Sequence, residues 1–286
     1  MMSQIKSKVK AEIRLKIIRP LSLLRDGLWT SYGVPRLARY GWKPAKCTPL
    51  LPGYLKASFC FDEEAEIRAA LESIGSPAMS SFERIATLWQ QVRYLDENAI
   101  EGSLVECGVW KGASVALMAL AHQKAHPKPK RHLHLFDSFE GLPEPKSEVD
   151  GVDAIFYSSQ RASGQLQAIG KCVGTLDENK ALLQGRLKYP SNLIEYHVGW
   201  FEKTMPKEAP LAAPIALLRL DGDWYESTKV CLEHLYPHVV KGGVIVIDDY
   251  GHWEGCRRAV DEFIATLKEP VLLNHIDYSG RFWVKI

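Results

Sequence analysis

Two short apolar runs that each end in acids constrain this chain more than any other feature. Residues 215–220 are aliphatic apart from Arg219 and close on Asp221-Gly222-Asp223, and residues 244–247 are wholly aliphatic and close on Asp248-Asp249. A strand buried on both faces of a parallel sheet reads this way. One helix-length segment, 227–238, lies between them, followed by a Gly242-Gly243 break. That is a βαβ crossover, which is right-handed and usually joins adjacent strands. Neighbouring strands lie about 4.8 Å apart, so both acidic clusters emerge side by side at the carboxyl edge of the sheet. Open α/β sheets bind their ligands at that edge. Carboxylates gathered there repel one another unless a cation holds them, and an all-oxygen set suits Mg²⁺ or Ca²⁺ better than zinc. Asp248 and Asp249 are neighbours and point to opposite faces of an extended strand, so both can hold one ion only if the chain turns there.

The same alternation runs through the chain from residue 102. Strands are expected at 104–107, 132–136, 193–198, 215–220 and 244–247, and helices at 113–124, within 176–187, at 227–238 and at 256–267. Residues 271–277 and 282–285, joined around Ser279-Gly280, predict a terminal hairpin. Alternating βα units make a doubly wound, mostly parallel, seven-stranded α/β sheet, with the hairpin adding an antiparallel edge. Upstream, helical signals cover 63–73. Ser80 or Ser81 then caps a helix over 82–97, where Ile85, Leu88, Trp89, Val92 and Leu95 form a stripe read as core packing.

The 286 residues carry a net charge of only +2, which conceals an asymmetry. Residues 1–46 hold 11 Lys/Arg against Glu12 and Asp26, so the rest of the chain is acidic. Ile5, Val9, Ile13 and Ile17 recur among lysines and arginines until Pro20, which predicts a basic amphipathic helix. Packing on its own subunit or a dimer mate is preferred for it, with peripheral contact to acidic lipid as the other use. Residues 30–58, rich in Pro, Gly and aromatics, predict an irregular connection or lid. The expected division is a basic arm or lid over 1–60 and a catalytic domain over 61–286, in a homo-oligomer. No apolar run reaches the roughly 18 residues of a membrane span. The six cysteines form no CxxC pair and read as reduced thiols of a cytoplasmic protein. No nucleic-acid partner is expected.

Residues 105–112, Val-Glu-Cys-Gly-Val-Trp-Lys-Gly, form a strand-to-helix turn. Its Gly-x-x-x-Gly spacing lacks the pyrophosphate cradle of a dinucleotide fold, which argues against a nicotinamide oxidoreductase. An acid just before the first glycine, Glu106, suits a cofactor with an ammonium group and no phosphate, such as S-adenosylmethionine. Asp137 ends the next strand, 29 residues beyond Gly108, where an acid can accept both ribose hydroxyls. Ser138 beside it joins the expected cofactor-binding residues.

The segments Val105 to Gly112, Asp137-Ser138-Phe139-Glu140-Gly141, Gly199-Trp200-Phe201, Arg219 to Thr228 and Asp248-Asp249-Tyr250 occur in order. Together they resemble the macrocin-type O-methyltransferases, which methylate sugars of macrolide and aminocoumarin antibiotics. The likeness covers about residues 80–265. It implies a class I methyltransferase (Rossmann-like) fold, S-adenosylmethionine as donor and Mg²⁺ as the metal. Carried over by position, Asp221, Asp248 and Asp249 are metal ligands and Asp223 is a candidate general base. Glu106, Gly108 and Asp137 line the cofactor pocket.

The expected acceptor is a small molecule or glycan offering vicinal hydroxyls. Asp223 and His252 compete as the group that removes the acceptor proton, since His252 follows the second acidic turn closely and titrates near neutrality. Tyr250, Trp253 and Trp224 are candidates to stack on a pyranose face. Arg219 reads as an internal counter-charge for the acids. Two other functions fit parts of the pattern: a metal-dependent glycosyltransferase using Asp221-Gly222-Asp223, and a non-catalytic methyltransferase-like scaffold.

Overall fold

The computed structural model describes residues 63–286. The expectations for the basic helix, the lid and the arm over 1–60 lie outside these residues. Two helices come first. The first, α1 (Glu64–Ile74), ends on Gly75 in the left-handed region, and the second, α2 (Phe82–Glu97), starts on Ser81, whose side chain accepts the Arg84 N–H. The predicted stripe Ile85, Leu88, Trp89, Val92 and Leu95 is buried throughout.

The sheet follows in chain order. Its parallel part comprises β1 (Ser103–Cys107), β2 (Leu133–Asp137), β3 (Ile194–Val198), β4 (Ile215–Leu220) and β5 (Val239–Ile247). Two short strands, β6 (Asn274–His275) and β7 (Arg281–Val284), complete it. Their spatial order is β3-β2-β1-β4-β5-β7-β6. The chain thus begins at the centre, winds to one edge, returns across β1 to β4, and ends in an antiparallel hairpin. The predicted doubly wound seven-stranded sheet is therefore what forms. Every residue of β1 and β4 is buried, as a strand with helices on both faces requires. The remaining helices are α3 (Ala113–Ala125), α4 (Gly151–Tyr157), α5 (Leu176–Lys180), α6 (Phe201–Glu208), α7 (Tyr225–Leu235) and α8 (Glu254–Thr266). A π-helical turn, Ala181–Arg186, continues α5.

Three differences from the sequence reading have physical causes. Strand β5 starts five residues early and carries Gly242-Gly243 inside it. Its register against β4 slips from the Ile215–Val239 pair to the Leu217–Val244 pair. Gly242 adopts φ +81° in that bulge and donates its N–H to the Lys285 carbonyl, so the glycines bend the strand without ending it. Helix α7 starts at Tyr225 and not at 227, because Asp150, 75 residues upstream, accepts the Tyr225 N–H at 2.6 Å. Helices α4 and α6 were not anticipated. The former lies in the excursion between β2 and β3, which folds on itself through the bridges Pro143–Ala168 and Lys146–Ser163.

No helix among the described residues is long and apolar enough to cross a membrane. The four described cysteines, Cys107, Cys172, Cys231 and Cys256, are free thiols.

Candidate active site

The carboxyl ends of β1, β4 and β5 meet around one point. Gly108 follows β1 with φ +84°, and a Cβ there would lie 1.8 Å from the Asp221 carbonyl oxygen. Only glycine permits this approach. Hydrogen bonds lock the strand ends together: Asp221 N–H donates to the Cys107 carbonyl at 2.8 Å, and Asp248 N–H donates to the Leu220 carbonyl at 2.9 Å.

Asp137 does not stand free in front of this turn. Its Oδ2 accepts the backbone N–H groups of Val109 at 2.6 Å and Trp110 at 3.2 Å, and its Oδ1 accepts that of Phe139 at 2.7 Å. Burial pushes its carboxyl up from the usual range, with the three N–H groups pulling the other way. Asp137 therefore shapes the turn, with most of its acceptor capacity already taken up by the protein. The Ser138 hydroxyl donates to the Gly141 carbonyl and accepts the Glu140 N–H, closing the bend after β2.

Glu106 is 1% exposed and its Oε1 binds the Arg219 guanidinium, while its Oε2 is buried with no hydrogen-bond partner. Burial pushes its carboxyl up to about 8, against the pull of Arg219. Arg219 is the counter-charge the sequence suggested. It also donates to Asp221 Oδ2 at 2.9 Å and to Asp248 Oδ1 at 2.6 Å. A second cation, Arg84 of α2, binds Asp248 Oδ2 and sits 3.0 Å from Asp277 Oδ2. Nothing in the sequence pointed to Arg84, because its partner is 164 residues away.

The acids sort themselves accordingly. Asp221, Asp223 and Asp249 each offer a carboxylate oxygen, and these atoms all lie within 4.8 Å of one another. Asp248, expected as a ligand with Asp221 and Asp249, has both oxygens on guanidiniums instead, while Asp223, expected as the base, stands in the cluster. The adjacent pair Asp248-Asp249 thus diverges, as alternating side chains at a strand end would. Burial, followed by repulsion from the other acids, raises the carboxyls of Asp223 and Asp249 well above the usual range, and that of Asp221 also rises. Burial and mutual repulsion therefore favour a bound cation or proton at this cluster.

Asp223 sits in the left-handed region with φ +58° and turns its Oδ1 to the Trp253 indole N–H at 2.7 Å. Behind it Trp253, Trp224 and Tyr157 make edge contacts, with ring centroids 4.9 Å apart for the two tryptophans and 5.5 Å for Tyr157 and Trp253. Trp224 and Trp253 are buried, so they wall the acidic cluster and do not present open stacking faces. Tyr250 turns its hydroxyl to Asp261 on α8. His252 packs edge-on against Trp253, with Nδ1 3.5 Å from the Tyr278 hydroxyl. A cavity of about 130 Å³ opens beside Trp224, lined in part by Glu144, Asp150, Glu202 and Ser227.

A second group, Asp96, His122 and His126, has ligand spacing but no open site. His122 Nδ1 faces Asp96 at 2.8 Å, while its Nε2 accepts the Lys130 and Arg131 N–H groups.

A glycine turn at the end of β1 beside an acidic cluster at the ends of β4 and β5, on this strand order, is the arrangement of a class I methyltransferase-like fold with its ligand edge at those strand ends. The family model described as Macrocin-O-methyltransferase (TylF) matches residues 62–285, and the chain belongs to that family. It is 32% identical over 230 residues to a tetracenomycin-C 4'-O-methyltransferase acting on an 8-demethyl-8-(2,3-dimethoxy-alpha-L-rhamnosyl) compound, from Streptomyces olivaceus, covering 79% of this chain and 84% of the relative. It is 34% identical over 205 residues to the demethyldecarbamoylnovobiocin O-methyltransferase of Streptomyces niveus, covering 72% of this chain and 74% of the relative. Among solved structures, the O-methyltransferase NovP superposes with a TM-score of 0.59 at 31% identity, covering 73% of this chain and 81% of that one. Family membership selects the methyltransferase reading over the glycosyltransferase and scaffold readings.

Proposed function

We propose that this enzyme moves a methyl group from S-adenosylmethionine to a sugar hydroxyl of a glycosylated natural product or glycan, with Mg²⁺ at the acidic cluster. The observation that carries this reading is the convergence of Asp221, Asp223 and Asp249 on one point directly beside the Gly108 turn. The curated relatives support the acceptor class, since two are named for rhamnosyl and novobiocin acceptors and a third for mycinamicin III, from Micromonospora griseorubida.

The residues fit both groups. An all-carboxylate set suits a hard divalent cation. Asp221 and Asp249 would hold it. Asp248 belongs to the set implied by resemblance, but each of its oxygens already accepts a guanidinium, which weakens it as a ligand. The donor carries an ammonium and a sulfonium, and the orphaned Glu106 Oε2 is a buried acceptor of the right charge for a cationic group. At Gly108 the Asp221 backbone takes the place a Cβ would occupy, which sets the turn directly against the acidic cluster. When bound, the metal would supply Lewis-acid polarisation of an acceptor hydroxyl, and the donor an activated methyl group.

The chain's own residues do the rest. Asp223 takes the acceptor proton: a carboxyl whose proton affinity is raised by burial and neighbouring acids is the stronger base. The Trp253 N–H fixes its orientation and leaves Oδ2 for the proton. Trp253, Trp224 and Tyr157 keep water off the inner side of the cluster. Holding the hydroxyl in line with the methyl carbon is worth up to about 7–11 kcal/mol of barrier. The test is incubation with S-adenosylmethionine and a panel of glycosides and sugar nucleotides bearing vicinal diols, read by mass spectrometry with Mg²⁺ or EDTA. Gain of one methyl group only with Mg²⁺ supports the assignment. Tight, metal-dependent binding of a sugar nucleotide alone, with no affinity for the donor, would sink it.

A further inference from the structure

We propose that Asn179 is a positioning residue for the donor-binding turn, acting through the carbonyl of Trp110; this rests on the donor reading above. Asn179 lies in α5, is 0% exposed, and is a buried amide followed by the buried Leu182 and Leu183 of the π-helical turn. Its Nδ2 donates to the Trp110 carbonyl at 2.8 Å and to the Thr175 carbonyl at 3.0 Å. Its Oδ1 is buried without a partner and lies where a Cβ on Gly112 would fall, 2.4 Å away.

Trp110 explains why a buried amide is there. It adopts φ +47°, a left-handed conformation that a bulky side chain rarely accepts. Such a residue persists only where its surroundings over-determine it. Here Asp137 takes the Trp110 N–H, Asn179 takes its C=O, and Gly174 packs against that same carbonyl, where a Cβ would come within 2.0 Å. From the other side the Ser76 hydroxyl donates to the Lys111 carbonyl at 3.1 Å. The turn is thus clamped by groups from the excursion after β2 and from the link between α1 and α2. Asn179 is the side-chain clamp that reaches the Trp110 carbonyl from within that excursion, and no hydrogen bond joins it to the acidic cluster or to Arg219.

The split in its effects follows. Losing Asn179 frees the Trp110 peptide, so donor affinity falls, while the acids that hold metal and acceptor stay as they are. The variants are Asn179→Asp, which replaces a donor by an oxygen facing two carbonyls, and Asn179→Ser, whose shorter side chain makes the same loss with no new charge. S-adenosylhomocysteine binding is measured by titration calorimetry, Mn²⁺ binding by paramagnetic resonance, and Tm by calorimetry. A rise of about tenfold or more in the S-adenosylhomocysteine Kd is expected (about 1.4 kcal/mol), larger in Asn179→Asp. The Mn²⁺ Kd and kcat at saturating donor should stay within about twofold. An unchanged S-adenosylhomocysteine Kd in a folded variant overturns the inference alone. So does a parallel loss of donor and Mn²⁺ affinity tracking Tm in both variants, which marks a merely structural residue. Failure of the wild-type chain to bind S-adenosylhomocysteine overturns the donor reading and this inference with it.

Discussion

Replacing Arg219 with Met removes the one cation that Glu106, Asp221 and Asp248 share. The side chain of Asp221 is 31% exposed and water can take over its solvation, but those of Glu106 and Asp248 are only 1% and 4% exposed. Two fully buried carboxylates therefore lose a partner, and removing one side of a buried ion pair costs about 3–5 kcal/mol. Arg84 still holds Asp248, which keeps the loss within that range. For a domain of this size each kcal/mol moves Tm by about 2–4 °C, so a drop of roughly 6–20 °C is expected. The deficit depends on pH. A proton can replace the lost guanidinium, so the folded variant binds more protons than the unfolded chain, and its stability falls as pH rises. Burial already lifts Glu106 from its ordinary 4.5 to about 8 in the native chain, which keeps that proton below pH 8 as the variant does, so the deficit widens only above about pH 8. The slope approaches about 1.4 kcal/mol per pH unit for one proton. Urea unfolding followed by tryptophan fluorescence at pH 7 and pH 9 reads both numbers. A deficit below about 1 kcal/mol, or one equal at the two pH values, would refute the argument that Arg219 holds buried charge.

Three further outcomes test the site. Asp221→Asn should abolish metal-stimulated methyl transfer and leave S-adenosylhomocysteine affinity within about twofold, since the Asp221 backbone is untouched; wild-type turnover that persists in EDTA contradicts the metal assignment. Trp253→Phe removes the indole N–H donor on Asp223, a charge-assisted bond worth about 1.5–3 kcal/mol, so the acidic limb of the kcat/KM profile should move to higher pH with its plateau retained. An unmoved limb would pass the base role to His252. Gly108→Ala places a Cβ 1.8 Å from the Asp221 carbonyl at φ +84°, and calorimetry should show donor-analogue affinity reduced by more than about tenfold; retained affinity would mean the turn is not the donor's seat.

The position of the acceptor is narrowed by what encloses the cluster. Asp223 is backed by buried aromatics, and the excursion after β2 adds Pro143, whose carbonyl accepts the Trp224 indole N–H at 3.0 Å. That excursion is tied to α7 twice more, through Asp150 on the Tyr225 N–H and Lys146 on Glu226 at 2.7 Å. Substitutions there should alter acceptor choice before they alter the chemistry. Loops carried on a fixed sheet are where such specificity usually resides.

The strands, the adjacency of β4 and β5 and the two acidic turns were legible in the chain because burial on both faces leaves unbroken aliphatic runs, and because glycine and aspartate spacing marks where strands end. Residues 215–220 are a strand with the predicted bounds, and α2 starts at the predicted cap. Local pattern carries such features, since each depends on neighbours within a few residues. Which group each acid holds is decided by partners distant in sequence. Arg84 and Arg219 draw Asp248 away from Asp249, Trp253 claims Asp223, three backbone N–H groups occupy Asp137, and Asn179 braces a strained tryptophan. A carboxylate's role follows from which cations and donors desolvate with it, and only packing of the whole chain decides which those are.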